Sequence, residues 1–112
     1  MTGKGIGRPR IDIFYFEGCP NHNGARALVE RVAAELRVQP EIGLVEIPDA
    51  EAAGRLRFLG SPSVRVNGRD VEPGAEERCD FALSCRVYRS EVGLSGQPNA
   101  AWIRDVLAGA VT

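Results

Sequence analysis

Cysteine is the residue type in this sequence with the most chemistry to account for. The chain has three, Cys19, Cys79 and Cys85. Three thiols cannot all pair within one chain, and a domain of 112 residues can build a core without covalent staples, so at least one thiol is expected to be free. Cys19 lies in Gly18-Cys19-Pro20-Asn21-His22, directly after an apolar run. If Cys19 caps a helix, Pro20 takes the first helical position and His22 the third. The sulfur then faces unpaired backbone N–H groups and the positive end of the helix dipole, which favours thiolate over thiol. A protonated His22 one turn along would act in the same direction, and Glu17 against it. The plainer reading makes Cys19 a small buried hydrophobe and His22 a polar residue at a helix start.

Cys79 and Cys85 are separated by Asp80-Phe81-Ala82-Leu83-Ser84. If residues 76–84 form a helix, Phe81 and Leu83 pack inward, and one of the two thiols is laid over the Cys19 end of the fold. Cys85 is the stronger candidate, because Cys79 sits among charges in Glu76-Glu77-Arg78-Cys79-Asp80 and reads as exposed; filler cysteines are the plain alternative. Cys19, His22, Cys79 and Cys85 are also the ligand types of a Cys3His site for zinc or a softer thiophilic ion. The CxxH and Cx5C spacings supply only half of a compact zinc signature, so no metal and no other cofactor is assigned. Arg86, Tyr88 and Arg89 form a small basic–aromatic group suited to an anionic ligand such as glutathione, or to a solvated strand edge.

The surrounding pattern indicates which elements carry these residues. Ile11–Phe16 is apolar on both faces and rich in β-branched and aromatic residues, as a central strand requires. Ala25, Leu28, Val29, Val32, Ala33 and Leu36 then recur at helical spacing before Pro40. Glu41–Ile47 reads as a second strand, and Asp49 caps a helix with apolar Ala53, Leu56 and Leu59 that ends at Gly60. Two strands joined by a helix predict a parallel, right-handed βαβ unit. Ser63–Val66 and Arg69–Val71 flank Asn67-Gly68, the dipeptide suited to the positive φ angles of a tight hairpin. A last helix is predicted from near Pro98, with Trp102, Ile103, Val106, Leu107 and Ala110 on its apolar stripe and Trp102 as a core anchor. Residues 72–97 are long for a plain connection and are expected to hold a loop or short helix.

Composition narrows the classes of function. With 44% hydrophobic and 26% charged residues the chain reads as one ordinary globular domain, residues 11–112, behind a flexible basic tail, residues 1–10. The 14 Lys and Arg against 15 Asp and Glu give a net charge of −1, which disfavours nonspecific nucleic-acid binding. No apolar run approaches the roughly 20 residues of a membrane span, and the N-terminus lacks a secretory signal pattern, so a cytoplasmic location is expected.

The Cys-Pro-Asn-His corner of the βαβ opening, the Gly60-Ser61-Pro62-Ser63 segment running into a strand, and the hairpin followed by a terminal helix together resemble the thioredoxin-like superfamily. The resemblance covers Ile11 to about Ala110. It implies an α/β fold with a mixed four-stranded sheet in the order of elements βαβαββα and flanking helices. It also implies a cis Ser61–Pro62 bond beside the redox cysteine, with the backbone before the proline pairing with substrate; Ser61, Pro62 and Pro20 would form the substrate-binding set. The family's second catalytic cysteine is replaced here by His22. Thiol–disulfide exchange would therefore run through Cys19 alone, activated by His22, or with Cys85 or Cys79 resolving, on a thiol or disulfide of a protein or a glutathione-like molecule. Short chains of this appearance are sometimes labelled alkylmercury lyase, in which two thiolates act with an acid, here Asp80. A binder of thiophilic metal or organomercurial, and an adaptor that uses no thiol, are the other functions compatible with the sequence.

Overall fold

The central strand pairs on both sides with strands of opposite sense, which gives the sheet its mixed character. In the computed structural model, which describes residues 8–91 and 93–111, β1 (Arg10–Tyr15) runs parallel to β2 (Glu41–Glu46) and antiparallel to β3 (Ser63–Val66). β4 (Arg69–Asp70) closes a hairpin on β3, and the sheet order is β2-β1-β3-β4. Among the described residues three α-helices flank it: α1 (His22–Glu35), α2 (Ala50–Arg55) and α3 (Ala100–Ala110). This is the α/β arrangement with a mixed four-stranded sheet expected of a thioredoxin-like domain.

The two-residue period of β1 divides the core. Ile11 and Ile13 turn to one face and, with Val64 and Val66, pack beneath Val29 and Val32 of α1 and Ile103 and Leu107 of α3. Phe14 turns to the other, joining Ile47, Phe58 and Ala52 and Ala53 of α2. Each fully buried Val, Ile, Leu or Phe side chain contributes about 1.5–3 kcal/mol of transfer free energy, so the alternation fixes the register of the strand.

Local signals set the element ends. Asp49 Oδ1 accepts from the Ala52 N–H at 2.8 Å, the cap the sequence predicts for α2. Asn67 and Gly68 adopt φ of 50° and 86° between β3 and β4. α3 starts later than predicted, because Asn99 supplies the cap by accepting from the Ala101 N–H at 2.7 Å; Pro98 therefore precedes the cap and is not in the first turn. Of the predicted basic tail, residues 1–7 lie outside the described residues. Its last part is tied down: Arg8 Nε donates to Gln39 O at 2.8 Å, Pro9 O accepts from the Glu41 N–H, and Arg10 opens β1.

The loop-or-short-helix expectation for 72–97 resolves as a loop with one short turn, and residues 76–84 do not form the helix that would have turned Phe81 and Leu83 inward. A 3-10 turn spans Ala75–Glu77, after which the Ala82 N–H donates to Phe58 O at 3.0 Å, so its backbone is satisfied by the loop after α2 and not by a helical neighbour. Leu83 is consequently exposed, not packed inward. Beyond it a second hairpin, β5 (Tyr88–Ser90) with β6 (Gly93–Ser95), adds two strands to the predicted element order. No helix among the described residues is long and apolar enough to cross a membrane.

Candidate functional site

The end of β1 and the start of β3 bring two sequence-distant corners together. Phe14 pairs with Ser63, so the chain leaving β1 toward Cys19 and the Ser61–Pro62 segment entering β3 lie at the same end of the sheet. Gly18, at φ 91°, and the Cys19 N–H donating to Phe16 O at 3.2 Å form the turn between β1 and α1. Helix α1 begins at His22, with Asn21 as its cap residue and no side-chain cap bond. Cys19 therefore stands two residues ahead of the cap, not at it, and Pro20 is exposed outside the helix.

Cys19 is only 5% exposed, and no hydrogen bond reaches its sulfur among the described residues. His22 is bound elsewhere than expected. Its Nδ1 lies 3.0 Å from the carbonyl oxygen of Cys19, and its ring stacks on Tyr15 with centroids 4.5 Å apart. A ring nitrogen facing a carbonyl carries the proton, so the neutral imidazole is the Nδ1–H tautomer with its lone pair on Nε2. His22 thus holds the backbone of Cys19 and does not act on its sulfur through this bond.

Ser61–Pro62 is cis, as the resemblance implied. The backbone that would meet a substrate is, however, occupied by the chain itself. The Ser61 N–H donates to Ser84 O at 2.8 Å, the Arg86 N–H donates to Ser61 O at 2.9 Å, and Ser61 and Cys85 form a parallel bridge. Ser84-Cys85-Arg86 fills the pairing edge assigned to substrate. Gly60 permits this approach: at φ 121°, a Cβ there would lie 2.8 Å from Arg86 Cβ and 3.1 Å from Ser84 O.

The segment is anchored by a buried ion cluster that sequence reasoning missed. Arg86, read as part of an anion-contacting group or of a solvated strand edge, is 2% exposed. Its Nη1 donates to Ser63 Oγ and Asp70 Oδ2, both at 2.8 Å, and its Nη2 to Asp70 Oδ1 at 3.1 Å and Glu72 Oε1 at 2.8 Å. Burial opposes the charge, but the hydrogen bonds to Asp70 and the surrounding negative groups outweigh it and raise the Arg86 pKa. Tyr88 is buried beside it, with the guanidinium 4.4 Å from the ring centroid, and its hydroxyl donates to Pro62 O. Burial raises the Tyr88 pKa and keeps the phenol neutral. Of the predicted basic–aromatic group only Arg89 faces solvent. The available signal was the alternation Asp70-x-Glu72 and Arg86-x-Tyr88, which places like groups on one face of each segment.

Cys85 is exposed on this anchored segment, and Cys79 is exposed in the loop after the 3-10 turn. All three thiols are free. Among the described residues no three Cys, His, Asp or Glu side chains gather in a way that could hold a metal ion, so the potential Cys3His set is not assembled. Asp80 accepts from Arg78 through both oxygens, at 3.0 and 2.7 Å. The hydrogen bond from Arg78 is the main cause that lowers its pKa, which leaves it an ionised carboxylate and not the proton donor the lyase reading needs.

Comparison with known proteins adds the following. No family model matches the sequence, and no curated protein matches it. Among solved structures the chain is similar to the oxidised thioredoxin of Plasmodium falciparum determined in solution, at 12% identity and a TM-score of 0.44, over 95% of this chain and 84% of that one.

Proposed function

We propose that the protein exchanges thiols and disulfides through Cys85 and Cys19 acting as a pair, with the exposed Cys85 leading and the covered Cys19 resolving. The observation that carries this reading is the bridge between Ser61 and Cys85, which fixes an exposed thiol beside the cis-proline segment at the sheet end that also bears Cys19. The sequence assigned the leading role to Cys19; its 5% exposure favours the second step instead, because an incoming disulfide must reach the attacking sulfur.

In the first step the Cys85 thiolate attacks one sulfur of a disulfide RS–SR′, forming a Cys85–SR mixed disulfide and expelling R′S⁻. In the second, deprotonated Cys19 attacks Cys85 Sγ, forming the Cys19–Cys85 bond and expelling RS⁻. The two cysteine sulfurs supply the two electrons that reduce the substrate, the protons come from the thiols by way of solvent, and two equivalents of external thiol, oxidised to their own disulfide, restore the dithiol. His22 fixes the Cys19 backbone for that second attack through the bond to its carbonyl. The substrate class is a small-molecule or protein disulfide.

Titrating the reduced protein with a chromogenic aromatic disulfide tests the pairing. Two equivalents of released thiol per chain are expected from the paired cysteines, and the same two from Cys79→Ser once the reaction of Cys79 itself is removed. Release of a single equivalent from Cys79→Ser, with a stable mixed disulfide, contradicts the proposal.

A further inference from the structure

On the α2 side of the sheet a pocket of about 390 Å³ opens between the end of α2, the β3–β4 hairpin and the loop after it. Three arginines from different segments, Arg57, Arg65 and Arg69, line it together with Leu59, Ala75 and Phe81. Arg65 is half-buried, and its Nη2 donates to the carbonyls of Leu56 at 2.7 Å and Arg57 at 3.0 Å while its guanidinium lies 4.2 Å from the Phe14 ring centroid. Arg57 is held in the same manner: its Nη2 donates to Glu76 O and Arg78 O, both at 3.4 Å, and the guanidinium lies 4.8 Å from the Phe81 ring centroid.

Carbonyls and ring faces orient these two cations without neutralising them. Their Nε and Nη1 groups, and the whole head of Arg69, have no partner among the described residues. Two acids also line the pocket. Asp70 is engaged through both oxygens by Arg86, and Glu76 is exposed and makes no side-chain ion pair among the described residues. Burial is the main cause lowering the Arg65 pKa; Asp70 and, less, Asp12 oppose it, while Arg86 and Arg57 add to it. Arginine nevertheless stays protonated at neutral pH. A partly desolvated positive charge without a matched counter-ion is unfavourable, and an anion entering the pocket would relieve it.

We infer that this pocket binds a small organic phosphate, its oxygens met by the free N–H groups of Arg57, Arg65 and Arg69 and its apolar body by Leu59, Ala75 and Phe81. The guanidinium fork matches two oxygens of a phosphate in one plane. The volume lies within the roughly 300–1,000 Å³ of small-molecule sites and exceeds what a bare oxyanion fills. The inference is independent of the thiol chemistry.

Calorimetric titration of the full chain with phenyl phosphate, inorganic phosphate and phenol at low salt tests it, with backbone amide shifts mapping the location. Phenyl phosphate is expected to bind about tenfold more tightly than either of the others and to move the amides of Leu59, Arg65 and Phe81. Arg69→Gln, which removes an exposed side chain with no partner, should weaken that binding about tenfold. Glu76→Gln should strengthen it. Phenyl phosphate binding no tighter than inorganic phosphate, shifts elsewhere on the surface, or an affinity unchanged in Arg69→Gln would overturn the inference.

Discussion

Arg86→Met is expected to remove about 3–5 kcal/mol of folding stability, the usual consequence of deleting one partner of a buried ion cluster. Methionine fills much of the arginine volume, so the loss comes mainly from the groups left behind. Asp70, with 13% of its side chain exposed, loses both of its guanidinium bonds, and Ser63 Oγ loses its donor. Glu72 keeps only Arg78, at 3.4 Å. Adding Asp70→Asn should recover part of the loss, because it discharges the stranded carboxylate, and the non-additivity measures the coupling. Urea unfolding read by Trp102 fluorescence gives the free energies. Amide exchange at Ser61 and Arg86 should accelerate in the single variant, since the hydrogen bonds that hold residues 84–86 against Ser61 depend on this anchor. A loss under about 1 kcal/mol would mean that the segment is fixed by something other than Arg86.

The second large effect separates the two thiols by role. Cys85→Ser removes the exposed thiol of the pair and should reduce the rate of reaction with an aromatic disulfide to that of the covered thiol at Cys19. Cys19→Ser should react at the parental rate but stop at a mixed disulfide on Cys85. That adduct is expected to persist on the order of a hundredfold longer than in the parent, because an intramolecular attack of high effective concentration has been lost. Intact-mass spectrometry with peptide mapping follows both, in a Cys79→Ser background. The reverse pattern, with Cys85→Ser trapping an adduct on Cys19, would return the leading role to Cys19.

Periodicity and turn chemistry carried most of the fold in the sequence. The apolar run Ile11–Phe16, Asn67-Gly68 between two short strands, and Asp49 as a helix cap each depend on neighbours within a few residues, and the strand, the hairpin and the cap form as read, whereas α2 stops at Arg55, short of the predicted end at Gly60. The site was less legible because its determinants are distant in the chain. Arg86 looks like a surface residue until the fold brings it to Asp70 and Glu72, 16 and 14 residues away. Cys85 could be chosen over Cys79 from its less charged surroundings, but nothing local to it encodes the pairing with Ser61 across the sheet end. At the Cys19 corner the proline signal was ambiguous. Pro20 suits the first position of a helix and equally a turn before one, and the bond from Cys19 to Phe16 O selects the turn.

The pairing of Cys19 with Cys85 is tested most directly by oxidising the reduced protein with diamide, digesting it without reduction and identifying the linked peptides. A disulfide requires Cα atoms within roughly 7 Å, so the bond that forms reports which sulfurs meet. A Cys19–Cys85 link as the dominant product at low protein concentration is the predicted result. A Cys79–Cys85 link, or only bonds between chains, would contradict it.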